Sequence, residues 1–474
     1  MSGMTSMTSM SATEHLLHSH RPGLEALRVL SASGQLGYGI PAEALARGME
    51  RRPHFMGCDM GSIDPGPYYL GSGEMAAPAS MVHRDLTLVL LAARQAHIPL
   101  IIGSAGTAGA QPHLDATVAI VLEIARAHGL SFRLCTVSSD VSDVLVVNAQ
   151  QAGMLHPIGP MTEPTEADIL SCTHIVGQCG TETLRRALAT GPDVLIAGRA
   201  CDTAIFATLP EMLGYPSALA LHMAKIIECT SLCCRPGGRD AMLAELTLDS
   251  FSLESMNPDL HATPASVAAH ALYEQSDPFE VQEPSGTLYL QEACYTALDA
   301  HRTQVSGARF VPRDQPTLKI EGAAYVGARA VLVAGVADPF MIEQLPLALH
   351  TVERKVRQLV PGDWTLFPHV YGQGAVRTLA QAQHSRHEAG LVLEFIAPDA
   401  DLARTVASVF KQNLLHFSYP GRLCTAGNLA FAFTPSELDA NAAYRFVLYH
   451  VMQAAPLEDI FTIETQYVSF APVH

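Results

Sequence analysis

The chain has 474 residues, a length that favours two or three domains over one, since domains usually hold about 100–200 residues. Hydrophobic residues make up 48% of it and charged residues 16%, a composition typical of a globular protein and not of a disordered one. The formal net charge is −17 and no dense Lys/Arg run occurs, which argues against a nucleic-acid partner. An anionic substrate is not excluded, because a site can use a few arginines and backbone amides.

No stretch reaches the roughly 18–20 uninterrupted apolar residues of a membrane span, so we expect no membrane-embedded segment. Residues 1–25, which begin with repeated Met, Ser and Thr, lack the order of a secretory signal and predict a flexible tail. The 10 cysteines are scattered, several within apparent core segments, which is typical of buried thiols in a reducing compartment. We therefore expect a cytoplasmic protein.

Residues 26–238 alternate short apolar segments with Gly-rich turns and helical stretches. The predicted strands are ALRVLSA, HFMGCD, IPLIIGSAG, LSFRLCTVS, THIVGQCG and DVLIAGRA. Segments such as RDLTLVLLAARQAH and TETLRRALATG predict the helices between them. This alternation predicts an α/β domain with a mostly parallel sheet covered by helices on both faces.

Residues 239–474 show a different pattern. Apolar and polar residues alternate along short stretches, and the spacing of these stretches is typical of β-hairpins. Two helices are predicted among them, PFMIEQLPLALHTVERKVRQLV and ADLARTVASVFKQNLLHF. This pattern predicts a smaller α+β region with mixed or antiparallel strands. The segment RPGGRD breaks the preceding helix, so we place the boundary near residues 235–245.

The first candidate site follows the predicted strand HFMGCD, in a loop rich in Gly and Pro. Asp59 and Asp64 bracket this loop, and Ser62 lies between them. In open α/β sheets, ligands bind beyond the carboxyl ends of the strands. Two carboxylates there could hold a divalent metal or act as acid and base. The structural alternative is that Asp59, Ser62 and Asp64 only satisfy loop amides.

The second candidate is the Gly-rich turn after IPLII, which offers Gly103, Ser104, Gly106 and Gly109 as substrate-binding residues. Glycines allow a close backbone approach, and a following helix offers free amides to an anion. The spacing is GxxGxxG and not the GxGxxG of dinucleotide sites. A simple tight turn is the alternative. His113, in the first turn of the next helix, is a weaker acid–base candidate.

The third candidate combines two predicted strand ends, Gly177 and Gly198, with the residues that follow the second. Arg199 could hold a carboxylate with both guanidinium edges. Asp202 is a candidate catalytic carboxylate, a helix N-cap, or the partner of Arg199 in an internal salt bridge. Since parallel strands end on one side of a sheet, we expect Asp59, Gly103, Gly177 and Gly198 to lie along one edge.

The segment LHMAKIIEC places His222, Lys225 and Cys229 on one helical face, where they could present a base. Stripes of this kind are more often satisfied helix faces, and we interpret this one as structural. Cys233 and Cys234 lack a second ligand pair at zinc spacing, so we interpret them as structural too.

Seven segments together resemble the acyclic terpene utilisation family. They are LSASGQLGYGIP, GSIDPGPYYLGSG, LIIGSAGTAGAQPHLD, IVGQCGTE, VLIAGRACDTAIFA, LALHMAKIIEC and FSYPGRLCTAGNLAFAF. The resemblance runs over nearly the whole chain and is closest to the branch that carries the GSxDPGPYYLG loop. It implies a role in catabolism through acyl-CoA intermediates, as in bacterial citronellol and geraniol degradation. It transfers no established catalytic residues.

The favoured hypothesis is a catabolic enzyme acting on a small carboxylate or acyl-CoA by hydration, dehydration or lyase chemistry. We expect Asp59, Asp64, Arg199, Asp202 and His113 to carry the reaction, with a small-molecule substrate. A divalent metal, held by Asp59 and Asp64, is the one cofactor we consider.

Two alternatives stay open. One is a non-catalytic subunit that binds an acyl ligand beside a partner protein. The other is a nicotinamide-dependent oxidoreductase, which the missing GxGxxG disfavours. We expect a homo-oligomer, with a small companion subunit as a further partner.

Overall fold

The computed structural model describes residues 10–273, 277–380, 383–422, 427–453 and 460–471. The chain divides into two compact units, one of residues 1–323 with 446–474 and the other of residues 324–445. The boundary predicted from sequence, between residues 238 and 239, lies within the first unit.

The first unit contains most of the helices and strands. Its helices are α1 (Ala12–Ser19), α2 (Ala42–Glu50), α3 (Pro67–Ser72), α4 (Ala79–Ala96), α5 (Gln111–Ala127), α6 (Asp143–Gln151), α7 (Glu166–Leu170), α8 (Thr181–Leu188), α9 (Asp202–Leu213), α10 (Ser217–Ile227) and α11 (Pro264–Ala271), with a 3₁₀ helix at Thr230–Cys233. Its strands are β1 (Leu27–Ser33), β2 (Phe55–Asp59), β3 (Leu100–Gly103), β4 (Ser131–Ser138), β5 (Leu155–Pro157), β6 (Cys172–Gly177), β7 (Val194–Ala197), β8 (Met242–Leu246), β9 (Phe251–Ser255), β10 (Glu280–Glu283), β11 (Gly286–Tyr289), β12 (Cys294–Ala297), β13 (Arg302–Ser306) and β14 (Arg309–Pro312). The long strand β15 (Thr317–Val336) begins in this unit and continues into the second.

The second unit adds α12 (Pro339–Leu359), β16 (Thr365–Tyr371), β17 (Ala389–Ala397) and α13 (Ala400–Leu415). The strand β18 (Glu437–Gln453) begins there and ends in the first unit, which also holds β19 (Thr462–Ser469). Antiparallel pairing joins β17 to both β15 and β16. Both helices lie where the sequence predicted them, and Phe395 of β17 packs against Phe410 of α13 with ring centroids 5.2 Å apart.

A ten-stranded sheet forms the centre of the first unit, in the order β12-β13-β9-β8-β1-β2-β3-β7-β4-β19. The five strands β1, β2, β3, β7 and β4 are parallel neighbours, and all residues of β2, β3 and β7 are buried. Continuous apolar strands of this kind occur where helices cover both faces of a sheet. The α/β class predicted from sequence is confirmed.

The sheet is mixed, and not mostly parallel as the sequence predicted. The hairpin strands β8 and β9 extend the same sheet, because β8 pairs antiparallel with β1 from Leu27↔Leu246 to Ser31↔Met242. At the opposite edge, β19 pairs antiparallel with β4. Strands that follow residue 238 therefore belong to the same sheet as the parallel strands. This pairing joins segments that are distant in sequence, so the local alternation of apolar and polar residues does not reveal it.

Three of the four strand-end residues share one edge of this sheet, as predicted. Asp59 ends β2, Gly103 ends β3, and Gly198 directly follows β7. Gly177 is the exception, because β6 pairs with β15 outside the ten-stranded sheet. A single parallel bridge between Cys179 and Ala200 still links the segment after β6 to the segment after β7.

Part of the segment predicted as a flexible tail is ordered helix. Ser11 caps α1 and forms a capping box with Glu14, a start signal that the preceding Ser/Thr repeats obscure. The Ala12 amide donates to Asp193 Oδ1 at 2.9 Å, and His20 Nε2 lies 2.7 Å from the Tyr215 hydroxyl. The described residues from 10 onward therefore pack on the first unit. Across the described ranges, none of the helices has the length and apolar character to cross a membrane.

We predict that Leu16→Ala lowers the stability of the protein by about 2 kcal/mol, because Leu16 is 5% exposed and its truncation leaves a cavity. His18→Ala, on the exposed side of the same helix, should change stability by less than about 0.5 kcal/mol. Urea denaturation of both variants measures the difference. Equal stability of Leu16→Ala and the parent protein would mean that α1 is not docked.

Candidate active site

Asp59 is a buried carboxyl group at the carboxyl end of a central parallel strand. The residue is 4% exposed, and its Oδ2 accepts the Gly61 amide at 3.3 Å. Within the described part of the chain, its Oδ1 has no hydrogen-bond partner. Burial raises the pKa of Asp59 well above its usual range, the Asp202 charge adds to this rise, and Arg199 opposes it. The direction of this shift favours the protonated form of Asp59.

Arg199, 2% exposed, is held by the protein on every side of its guanidinium group. Nε and Nη2 donate to the two carboxylate oxygens of Glu321 at 2.8 and 3.3 Å. Nη1 donates to the Ser104 hydroxyl and to the Ala200 carbonyl, both at 3.1 Å. The bidentate partner of Arg199 is thus an internal carboxylate, and four of its five N–H groups donate to described residues of the protein.

Glu321 is the centre of this ionic group, and its side chain is fully buried. Lys319 Nζ lies 3.2 Å from its Oε1, so two cations face one carboxylate. Burial alone would raise the pKa of Glu321, but Arg199 and Lys319 lower it below the usual value. Sequence reasoning did not select Glu321; the only local signal is a charged pair inside the apolar strand TLKIEGAAYVG.

Asp202 begins α9, and its charge acts on both Asp59 and Arg199. Its Oδ1 lies 3.7 Å from Arg199 Nη1, and its side chain is 37% exposed. Burial of the carboxylate raises the pKa of Asp202 above its usual value, while Arg199 and Lys225 oppose the rise. The salt bridge considered from sequence is thus present as a longer contact, second to the Arg199–Glu321 pair. Asp202 is more exposed to solvent than Arg199, Glu321 or Lys319.

A second set of buried charges surrounds Asp202. Lys225 Nζ lies 2.6 Å from Glu228 Oε1, and both side chains are less than 10% exposed. Burial alone would lower the pKa of Lys225, but the Glu228 carboxylate raises it. Glu283 accepts the Thr203 hydroxyl at 2.8 Å, and burial raises the pKa of Glu283 to about 7. Lys225 therefore has an internal ion-pair partner, which agrees with the interpretation of the segment LHMAKIIEC as a structural helix face.

The Gly-rich turns pack their backbones against each other. A Cβ on Gly109 would lie 2.1 Å from the Arg199 nitrogen, and one on Gly198 would lie 2.5 Å from the Gly109 carbonyl oxygen. The Gly109, Gly177 and Gly198 amides all donate to carbonyl groups of the protein. We assign the turns to the close packing that places Ser104 and Arg199, and their anion-binding role stays a prediction.

The remaining predicted residues form local contacts. Asp64 is exposed, and its amide donates to the Ser62 hydroxyl at 3.1 Å. His113 is buried, with Nδ1 accepting the Ala110 amide at 3.2 Å and Nε2 3.0 Å from the Glu74 carbonyl oxygen. Gly106 lies against it, since a Cβ there would be 2.7 Å from His113 Cβ. His113 thus stabilises the start of α5, with both ring nitrogens engaged.

Among the described residues, one group has the spacing of metal ligands, and it consists of His20, Glu25 and His54. His54 Nδ1 accepts the Arg28 amide at 2.8 Å, so the proton of its neutral ring lies on Nε2, the atom that faces Glu25. A metal there would require this histidine to lose its last ring proton. The chemistry of the group therefore fits hydrogen bonding better than metal binding.

The protein is thus an α/β protein with a cluster of buried ionisable side chains near the carboxyl ends of its parallel strands. The chain belongs to the acyclic terpene utilisation family, because the family described as acyclic terpene utilisation family protein AtuA matches residues 79–238 and 259–440. The resemblance inferred from the motifs is thereby confirmed. The narrower assignment to the GSxDPGPYYLG branch stays a prediction. No curated protein and no solved structure matches the chain.

We predict that Arg199→Lys destabilises the protein by at least about 2 kcal/mol, because lysine keeps the charge but cannot bridge both oxygens of Glu321. Arg185→Lys is the control: Arg185 pairs with Glu211 and its side chain is 47% exposed, so it should cost less than about 1 kcal/mol. Denaturant unfolding compares the two. A stable Arg199→Lys protein with weakened ligand binding would instead favour a substrate clamp.

We predict that Glu283→Gln stabilises the protein at pH 8 and leaves it unchanged near pH 4. Glu283 has a folded-state pKa of about 7, above the roughly 4.3 of an unfolded chain, so ionisation opposes folding as pH rises between these values. The amide avoids a cost of about 3 kcal/mol at pH 8 and still accepts the Thr203 hydroxyl.

Unfolding curves at pH 4, 6 and 8 test this prediction. The groups near Glu283 that also carry charge, Lys225 and Asp202, are the same in both proteins. Glu292→Gln, an exposed change, controls for the removal of one negative charge. A stability difference that does not grow with pH would show that Glu283 ionises normally.

Proposed function

We propose that this protein is a catabolic enzyme that adds water to, or removes it from, a carbon–carbon double bond of a small carboxylate or acyl-CoA. The observation that carries the proposal is the Asp59 carboxyl group, which is buried, lacks a partner on Oδ1 in the described chain, and has a raised pKa. A carboxylic acid that stays protonated at neutral pH is a general acid.

The environments of the neighbouring carboxyl groups differ, which supports separate roles. Glu321 is ionised between two cations, whereas Asp59 is shielded from water and faces the charge of Asp202. Asp202 keeps access to solvent and lies beside Arg199. Pairs of titratable groups in contrasting environments are typical of acid–base sites.

In the hydration direction, Asp59 donates its proton to one carbon of the double bond. Water adds to the other carbon, and Asp202 accepts the proton that the water releases. One water enters the product, and a proton returns from Asp202 to Asp59 to complete the cycle. Elimination of water reverses each step, with no redox change and no further reactant.

Arg199 is a positioning residue in this proposal, because its edges are occupied by Glu321, Ser104 and Ala200. Its fixed charge lies close enough to act on Asp59 and Asp202. Preorganised charges of this kind stabilise developing negative charge without reorganising. We leave Asp64 outside the acid–base pair, because it is exposed on the loop.

The family description supports the catabolic context and an apolar, branched carbon skeleton for the substrate. The single chain carries both carboxyl groups, which favours an enzyme over a non-catalytic subunit. Turnover by the purified chain alone separates these two functions.

We predict that Asp59→Asn lowers kcat by about 10²–10⁴ and keeps the fold, because the amide has nearly the same shape but cannot donate an acidic proton. The assay follows the mass change of one water in a panel of short unsaturated acids and their CoA thioesters. The rate of the parent enzyme should fall as pH rises through the raised pKa of Asp59.

Asp143→Asn, on the exposed start of α6, is the matched control and should turn over at the parental rate. Asp64→Asn shows whether the loop takes part as well. A parental rate in Asp59→Asn would overturn the proposal, and a purified chain without turnover on any member of the panel would favour the non-catalytic subunit.

A further inference from the structure

A cavity of about 260 Å³ lies at the carboxyl end of β1, beside the buried charges. Its wall comes from the loop after β1, from the 3₁₀ helix, and from the loop before β8. Its lining includes Ser33, Tyr38, Ile40, Thr230, Leu232 and Arg239. This volume is below the roughly 300–1,000 Å³ of pockets for drug-sized ligands, so the cavity suits a short chain.

The cavity adjoins Asp59 through the backbone. Ser33 at its inner end pairs with Cys58 of β2, the residue before Asp59. The Leu36 amide, in the loop that lines the cavity, donates to the Asp59 carbonyl oxygen at 2.8 Å. The wall of the cavity is therefore in backbone contact with the carboxyl end of β2.

The side walls are apolar. Ile40 is 2% exposed, and Tyr38 and Leu232 reach the surface with 43% and 51% exposure. Thr230, which is 2% exposed, has φ +54°, an uncommon backbone conformation for a β-branched residue. Strained residues of this kind persist where the surrounding structure holds them, commonly at binding sites.

Arg239 provides a cation at the outer end of this cavity. Its guanidinium donates to the Gln35 side-chain oxygen and lies 6.0 Å from the centroid of the Tyr38 ring. Within the described ranges, it has no carboxylate partner, in contrast to Arg199, which is bound by Glu321. An arginine held in place without an anion is suited to receive one.

We propose that this cavity binds an aliphatic acyl chain whose outer end is anionic, with the chain between Tyr38, Ile40 and Leu232 and the anion on Arg239. The inference deepens the proposed function and rests on it for one consequence: the double bond that reacts lies on the chain that this cavity binds. The anion is the carboxylate of a free acid, because in a CoA thioester the acyl carbonyl is uncharged and the pantetheine arm separates the phosphates from the acyl chain.

Calorimetric titration of the full chain with hexanoate tests the cavity without requiring turnover. Arg239→Gln should weaken hexanoate binding at least about tenfold, because it removes a charge-assisted hydrogen bond. Binding of the neutral hexanamide should not change in this variant. Arg186→Gln, which removes an exposed arginine of α8, is the matched control and should bind hexanoate like the parent.

A second variant tests the apolar wall. Leu232→Trp narrows the cavity and should weaken hexanoate and hexanamide alike, whereas Leu170→Trp, at an equally exposed leucine with 53% exposure, should not. Hexanoyl-CoA, whose acyl carbonyl is uncharged, should compete with hexanoate only weakly. Strong competition by hexanoyl-CoA would contradict the placement of the carboxylate on Arg239.

The proposal is overturned if the parent protein binds neither probe, or if Arg239→Gln binds hexanoate as the parent does. The same measurements distinguish a failure of this proposal from a failure of the proposed function. Asp59→Asn should keep hexanoate affinity within about twofold while turnover falls. Intact turnover in Asp59→Asn, together with Arg239-dependent binding, would refute the acid–base proposal and leave the cavity in place.

Discussion

The buried ion pair between Arg199 and Glu321 is the interaction on which the site depends. Both residues are almost inaccessible to water, and breaking such a pair leaves an uncompensated charge in a low-dielectric interior. The pair fixes Arg199 against the turns after β3 and β7, and it joins them to β15. The carboxyl edge of the parallel strands is thereby held rigid before any ligand arrives.

The parallel strands and their turns could be predicted because their signals are local. Asp59, Gly103 and Arg199 follow apolar runs directly, and parallel strands place such residues on one edge. Glu321 could not be predicted in this way, since it meets Arg199 across 122 positions of sequence. Glu283, which meets Thr203 through a similarly distant contact, was missed for the same physical reason.

The errors in the predicted layout share one cause. The alternation of apolar and polar residues along β8 and β9 identified them as strands. The same alternation occurs whether a hairpin joins the parallel sheet or forms a separate one, so it does not show which sheet the hairpin belongs to. The segment of β6 resembled its parallel neighbours, yet it pairs with β15. For α1, the preceding Ser and Thr residues made the cap at Ser11 hard to recognise, and contacts with Asp193 and Tyr215 show that the helix is docked.

The pairing of Arg199 also explains how an acid can persist beside a cation. An arginine that faced Asp59 alone would favour the ionised carboxylate and remove the proton that acid catalysis needs. Glu321 accepts both hydrogen bonds from the Nε/Nη2 edge of the guanidinium, so part of its positive charge is balanced within the protein. Burial and the Asp202 charge then dominate at Asp59. Glu321, which sequence analysis missed, therefore weakens the opposing effect of Arg199 on the pKa of Asp59.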